Sequence, residues 1–302
     1  MKHTKGEAIS GWLVVDKPEG MTSTQVTGLV RRLFNAQKSG HVGTLDPFAS
    51  GVLPVALGEA TKLIDFLTDE SKEYEFTLQW GAETDSGDSD GTVILRNENL
   101  PTKTEISSVL SQFKGKIRQV PPAFSAIKIN GQRAYDLARK GQKVAMPERE
   151  VEIFALEYID NVAADKSRFR VCCSKGTYVR ALGRDIARSL GCAGYLCALR
   201  RTRSGLFDLS RKILLEHLKN IVYVEERKKF LLPLETSLRD IAVMAVSEAD
   251  AAKLRQGQAL SPQVAAGQNL SSATVAACCD GKLTAMVRVE ERKISPIRVF
   301  NL

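Results

Sequence analysis

The chain has 302 residues, 43% of them hydrophobic and 26% charged, with a formal net charge of +8. That length is about twice the ~150-residue domain prior, and the composition is that of an ordinary globular protein, which excludes collagen-like, disordered and disulfide-scaffold classes. No run approaches the ~18 apolar residues of a membrane helix, and MKHTKGEAIS lacks the apolar core of a signal peptide, so a cytoplasmic protein away from membranes is expected.

Residues 12–16, WLVVD, read as a short buried strand closed by the turn Lys17-Pro18-Glu19-Gly20. Thr22 with Gln25 spells a capping box, and Val26, Leu29, Val30, Leu33 and Phe34 continue it as a helix. The stretch GHVGTLDPFASGVLP has no period and is punctuated by Gly40, Gly43, Pro47, Gly51 and Pro54, which predicts a long shaped loop. Residues 73–80 alternate, with Tyr74, Phe76, Leu78 and Trp80 on one face, as in a half-buried strand. The acidic DSGDSDG after it fails as a calcium loop, because its best register puts Asn97 where a bidentate Glu belongs. A solvated hairpin is the favoured reading of residues 83–90. A helix is expected over 103–114, then a basic, exposed insert over 114–149. Residues 168–173 read as a strand. From 179 a helix turns Val179, Leu182, Ile186 and Leu190 inward, sets Arg180, Arg184 and Arg188 in a stripe on another face, and ends at Gly191. A helical segment follows near 213–229. After about residue 241 short apolar runs flank Asp280-Gly281, a strong hairpin signal, so the tail reads as a small β-rich domain.

Charge is unevenly spread. Residues 59–98 carry 11 acidic and 3 basic side chains, residues 114–149 carry 9 basic and 2 acidic, and residues 166–212 carry 12 basic and 2 acidic. Basic blocks of this size fit a polyanion partner, RNA or DNA, and equally fit a solvated face with ordinary ion pairs. The six cysteines include no C-x-x-C and the three histidines, His3, His41 and His217, no H-x-x-x-H, so neither a disulfide framework nor a metal site is expected. Phosphate-binding, dinucleotide, nucleophile-elbow and zinc-deaminase motifs are missing as well.

Asp46, between glycines and followed by Pro47, is a carboxylate held in place. Such a residue starts an Asx turn or caps a helix more often than it reacts, and spacing alone leaves both readings standing. Without a metal or cofactor, one placed carboxylate suits nucleophilic catalysis or proton transfer.

The runs GWLVVDKPEGMTSTQVTGLVRR, SGHVGTLDPFASGVLPVALGEATKL and KEYEFTLQWGAETDSGDSDG, continued by QVPPAFSAIKINGQRAYDLARKG, SKGTYVRALGRDIA and GYLCALRRTRSG, closely resemble the TruB family of tRNA pseudouridine-55 synthases over about residues 10–210. The tail, ending ISPIRVF, resembles the family's small PUA-like RNA-binding domain. The resemblance implies isomerisation of one uridine in the T loop of tRNA, with no metal or cofactor. It makes Asp46 the nucleophile, attacking ribose C1′ or uracil C6 or promoting a glycal. Tyr74 would stack on the uracil and help deprotonate the intermediate, although a core tyrosine fits the same alternation. Arg180 would pair with Asp46, although on charge grounds alone it reads more readily as one phosphate-binding arginine of the 180/184/188 stripe. Tyr178 and Leu199 match positions lining the base pocket, and Lys17-Pro18 matches the family's KP motif beside it. His41 matches a histidine that fills the space left by the flipped base, and Asp88 is placed to orient Arg180. The insert over 114–149 resembles a thumb that clamps the T arm and orders on binding.

The expected architecture is α/β (α+β): residues 1–240 form a catalytic domain with a mixed, largely antiparallel central sheet and flanking helices, and residues 241–302 form the PUA-like domain. A monomer acting on tRNA without an obligate protein partner is expected. A tRNA chaperone and a subunit of an RNA-guided synthase are the rival readings.

Overall fold

A computed structural model describes residues 6–67, 70–125, 127–129, 131–139, 142, 145–268, 270 and 274–302. His3 and part of the expected insert lie outside the described residues.

Strand β1 (Gly11–Lys17) is buried along its whole length, and helix α1 (Ser23–Leu33) follows with the expected box: the Thr22 hydroxyl accepts from the Gln25 amide while the Gln25 side chain accepts from Thr22. Thr22→Ala removes one half of this exchange and is expected to cost about 1 kcal/mol in urea unfolding, with an unchanged m-value. The glycine-rich stretch is shorter as a loop than its composition predicts. It contains β2 (Ser39–His41) and β3 (Ser50–Leu57), leaving only residues 42–49 between strands. A run buried on both faces shows no alternation, and Pro54, which brings no ladder donor, sits just past the end of β2, where its carbonyl accepts from the Val42 amide.

Strand β4 (Lys72–Trp80) alternates buried and half-buried as expected. The acidic stretch lies between β5 (Ala82–Thr84) and β6 (Val93–Arg96). Helix α2 (Lys103–Val109) gives way to a 3-10 turn ending at Phe113. The expected insert begins with β7 (Gly115–Gln119), which belongs to the main sheet, and goes on through β8 (Lys128–Ile129), β9 (Gln132–Arg133) and α3 (Ala134–Arg139). Strands β10 (Arg149–Ala163) and β11 (Lys166–Cys173) form a long hairpin, then come α4 (Val179–Ser189) and β12 (Gly194–Ser204). Short strands β13 (Phe207–Asp208) and β14 (Lys212–Leu214) precede two helices, α5 (Leu215–Asn220) and α6 (Val224–Lys228), where one segment was expected.

The main sheet runs β14-β1-β3-β12-β4-β11-β10-β7, with β13 on β12 and β2 on β3. Only β1/β14 and β3/β12 are parallel, so the sheet is mixed and largely antiparallel. Helix α4 lies on the sheet through Val179, Leu182 and Ile186, which join Phe76, Leu78 and Phe169 in one core. Gly183 makes that approach possible: a Cβ there would stand 2.4 Å from Leu196 Cδ1 and 2.7 Å from Leu78 Cδ1. Burying each such side chain contributes about 1.5–3 kcal/mol.

The tail is β-rich, as expected: β15 (Val243–Ala245), α7 (Glu248–Arg255), β16 (Thr274–Cys279), β17 (Lys282–Val289) and β18 (Ile294–Val299). Asp280 and Gly281 form the hairpin turn at φ +48° and +76°. The sheet has two buried faces. Val275 and Ala277 join Met244, Leu254 and Ile294 in the tail's own core, whereas Ala276, Cys278 and Met286 pack with Trp12, Val52 and Leu63 of the main body.

Candidate active site

Residues 42–49 are strapped down from several sides. Ser23 Oγ accepts from the Leu45 amide (2.8 Å) and donates to the Leu45 carbonyl (3.1 Å). The Pro47 carbonyl accepts from the Gly20 amide (2.8 Å) and from Lys17 Nζ (3.2 Å). The strapping presents Asp46 at a cleft of about 530 Å³, also lined by His41, Tyr74, Tyr178, Arg180 and Leu199. The Asp46 side chain is 37% exposed, and its Oδ2 lies 2.9 Å from Arg180 Nε.

Arg180, in the first turn of α4, is 4% exposed. Its Nη1 donates to the Ser86 carbonyl (2.9 Å) and to Asp88 Oδ2 (3.2 Å), and its Nη2 donates to the Phe124 carbonyl (2.9 Å). One guanidinium thus joins the Asp46 loop, the acidic segment and the root of the insert. The solvated hairpin is overturned for Glu83 and Asp88, which are 3% and 4% exposed. The cationic stripe is spent internally: Arg188 forks onto Glu83, and Arg184 bonds Asp185 and the Val120 carbonyl.

Burial pushes the Asp46 carboxyl above its ordinary range; the Arg180 charge opposes this, Asp88 adds to it and Lys17 opposes it. If ionised Asp46 is required, turnover falls as pH drops through that raised value. Asp88→Asn removes one raising influence, so the acid limb of kcat/KM is expected to move to lower pH, measured as a pH–rate profile.

Tyr74 is 8% exposed, with its ring in the cleft wall. Burial pushes its phenol up, and the Arg201 guanidinium pulls the other way. The His41 ring lies between Thr27 Oγ1 (3.1 Å) and Thr44 Oγ1 (3.3 Å), and burial lowers its pKa, favouring the neutral ring. Tyr178 is fixed by Gln119, whose side chain accepts from its amide, and Arg149 lies over its ring. Lys17 and Pro18 do not line the cleft. Lys17 is fully buried beneath it, its ammonium pushed down to about 8 by desolvation, and Pro18 is exposed. At the mouth, Lys175 forms an ion pair with Glu70.

Sequence reasoning assigned no role to Arg201, a cleft residue that is 1% exposed. Its strand gives no clean signal, because a bulge between Leu196 and Ala198 breaks the two-residue period. In the sheet, Lys17, Gly51, Arg201, Tyr74 and Val171 form one cross-strand row over β1, β3, β12, β4 and β11. Gly51 is required there: its φ is +105°, and a Cβ would stand 2.1 Å from the Arg201 carbonyl.

Residues 31–179 match the N-terminal domain of TruB family pseudouridylate synthase, and residues 180–239 match the tRNA pseudouridylate synthase B C-terminal domain. A tRNA pseudouridine synthase B of Caulobacter vibrioides is 45% identical over 100% of this chain and 99% of its own length. The chain belongs to the TruB family. It is a pseudouridylate synthase, an isomerase. Among other relatives of this TruB chain, the tRNA pseudouridine synthase B of Nitrobacter winogradskyi is 47% identical over 97% of the chain and 83% of its own length. Among solved structures, a Cbf5-Nop10-Gar1 complex has a chain that matches with TM-score 0.70 and 27% identity, over 96% of this chain and 84% of that one. An H/ACA RNP bound to a substrate RNA containing 2′-deoxyuridine matches in fold, also at TM-score 0.70, with 24% identity over 97% of this chain and 85% of that one. The TruB match accounts for the pseudouridine synthase architecture of the main sheet.

Proposed function

We propose that this TruB-family chain isomerises uridine-55 in the T loop of tRNA to pseudouridine, with Asp46 as nucleophile, the base flipped into the cleft and no metal or cofactor. The observation that carries the reading is a carboxylate at the cleft, 2.9 Å from a buried arginine that favours its charged form.

Breaking the N1–C1′ bond and joining C5 to C1′ needs a nucleotide reachable at sugar and base together, which a stacked base does not offer. A loop base is extruded at a cost of a few kcal/mol and is recognised by stacking and shape. In the proposed geometry Asp46 meets the sugar–base linkage, Tyr74 stacks on the uracil and helps take up the C5 proton, and Tyr178 and Leu199 close the pocket. Loss of that proton at C5 and gain of one at N1 leave the product an isomer of the substrate. His41 occupies the place in the loop stack that the base vacates, and Lys17 and Pro18 support the wall. The basic insert over 114–149 grips the T arm and orders on it. The chain works as a cytoplasmic monomer, with residues 1–240 as the catalytic domain and 241–302 as a PUA-like RNA-binding domain. Among the described residues no helix is long and apolar enough to cross a membrane.

The test is tritium release from C5-labelled uridine in an unmodified tRNA and in a synthetic T-arm hairpin, using the purified chain alone. Release at one equivalent per RNA, lost when only position 55 is replaced, supports the reading. Release that needs an added guide RNA or protein partner would place the chain with the RNA-guided synthases instead. Remodelling of tRNA without release would leave the chaperone reading.

A further inference from the structure

Arg201 is a buried cation that forms no ion pair among the described residues. An unpaired buried charge is costly unless its donors are met, and here backbone carbonyls meet them. Nε donates to the Val52 carbonyl (2.7 Å), and Nη2 donates to the Gly43 carbonyl (2.7 Å) and, more weakly, to Val42 (3.4 Å). These carbonyls stand on either side of Asp46, so one planar fork clasps both ends of the segment that carries it. Arg201 also lines the cleft. Directly across the β12/β4 pair from Arg201 is Tyr74, and both residues line the cleft. Cross-strand neighbours on one face are within side-chain reach.

We propose that Arg201 is a positioning residue that ties the Asp46 segment to β12 directly opposite Tyr74, so that carboxylate and tyrosine ring are held at a fixed separation across the cleft. The proposal rests on the reading of the site given above. An arginine suits the task because its rigid fork spans several acceptors at once, which a lysine ammonium on a flexible stem does not. Arg201 itself need not touch the RNA. Its effect is to keep two groups in a productive arrangement, and a misplacement of about 1 Å in such an arrangement can cost ~10²-fold in rate.

The experiment is a double-mutant cycle of Arg201→Met and Tyr74→Phe, read as kcat for tritium release from the T-arm hairpin, with RNA affinity measured separately. Arg201→Met is expected to lower kcat about 10²-fold with RNA affinity within about threefold of wild type. The double variant is expected to lose at least about tenfold less than the product of the single losses. Arg201→Lys takes the place of Arg201→Met in the cycle if the methionine variant does not melt cooperatively. Losses that multiply, or RNA affinity that falls in step with kcat, would overturn the proposal. Wild-type turnover of the hairpin is measured first. If it is absent the functional reading fails, and if it is present while the losses multiply only the role of Arg201 fails.

Discussion

Asp46→Asn is expected to lower kcat by at least about 10⁴-fold while tRNA affinity stays within about threefold of wild type, measured by single-turnover tritium release and by filter binding. At 25 °C that loss corresponds to about 5.4 kcal/mol of transition-state stabilisation, far more than one surface charge contributes to RNA binding. Binding should survive because Asp46 is an acid in a basic protein and holds no phosphate. The variant should also be no less stable than wild type. Burial raises the carboxyl above its unfolded value, so the folded state holds the proton more tightly than the unfolded one. The resulting stability cost appears as pH rises through the unfolded value and is complete above the folded one, and a neutral amide removes it. Reduced turnover accompanied by loss of folding would show that Asp46 holds the loop rather than attacks the nucleotide.

Arg180→Met is the second large effect, and it should damage both fold and chemistry. Removing one partner from a buried ion pair leaves the other uncompensated. Asp88, 4% exposed, would then face only the Ser86 hydroxyl and the Asp90 amide. A destabilisation of about 3–5 kcal/mol is expected in urea unfolding, with kcat down by at least about 10²-fold in the fraction that folds. Adding Asp88→Asn should recover part of the stability, because the stranded charge is gone, yet none of the activity, because Asp46 still lacks its cation. Recovery of both together would mean that Arg180 serves the fold alone.

Much of this arrangement is legible in the sequence. The alternation around Tyr74, the Thr22/Gln25 box and the Asp280-Gly281 turn are local signals, and local geometry follows from them. Residues 40–54 were misread because a strand buried on both faces has no amphipathic period, and because its glycines and Pro54 imitate a loop. The charge map left the ion pairs unresolved for a different reason. A basic stripe on α4 and an acidic segment about 95 residues earlier look like two separate surfaces, but they neutralise one another through Arg180–Asp88 and Arg188–Glu83. Composition counts the charges and says nothing of which ones meet. Arg201 escaped for a related reason: its neighbours in the cross-strand row come from β3 and β4, and only the folded sheet aligns them.

Residues 299–301 brace one wall of the cleft. Lys62 Nζ donates to the Val299 carbonyl (2.8 Å), the Asn301 amide donates to Glu59 (2.8 Å), and Phe300 is buried beside them. Glu59 and Lys62 open the 3-10 segment Gly58–Phe66, whose far end supplies Ile64 and Asp65 to the cleft. Residues 299–301 therefore act as a buttress. Removing residues 299–302 is expected to strip support from that wall, and heating should melt the main body and the tail in one calorimetric peak.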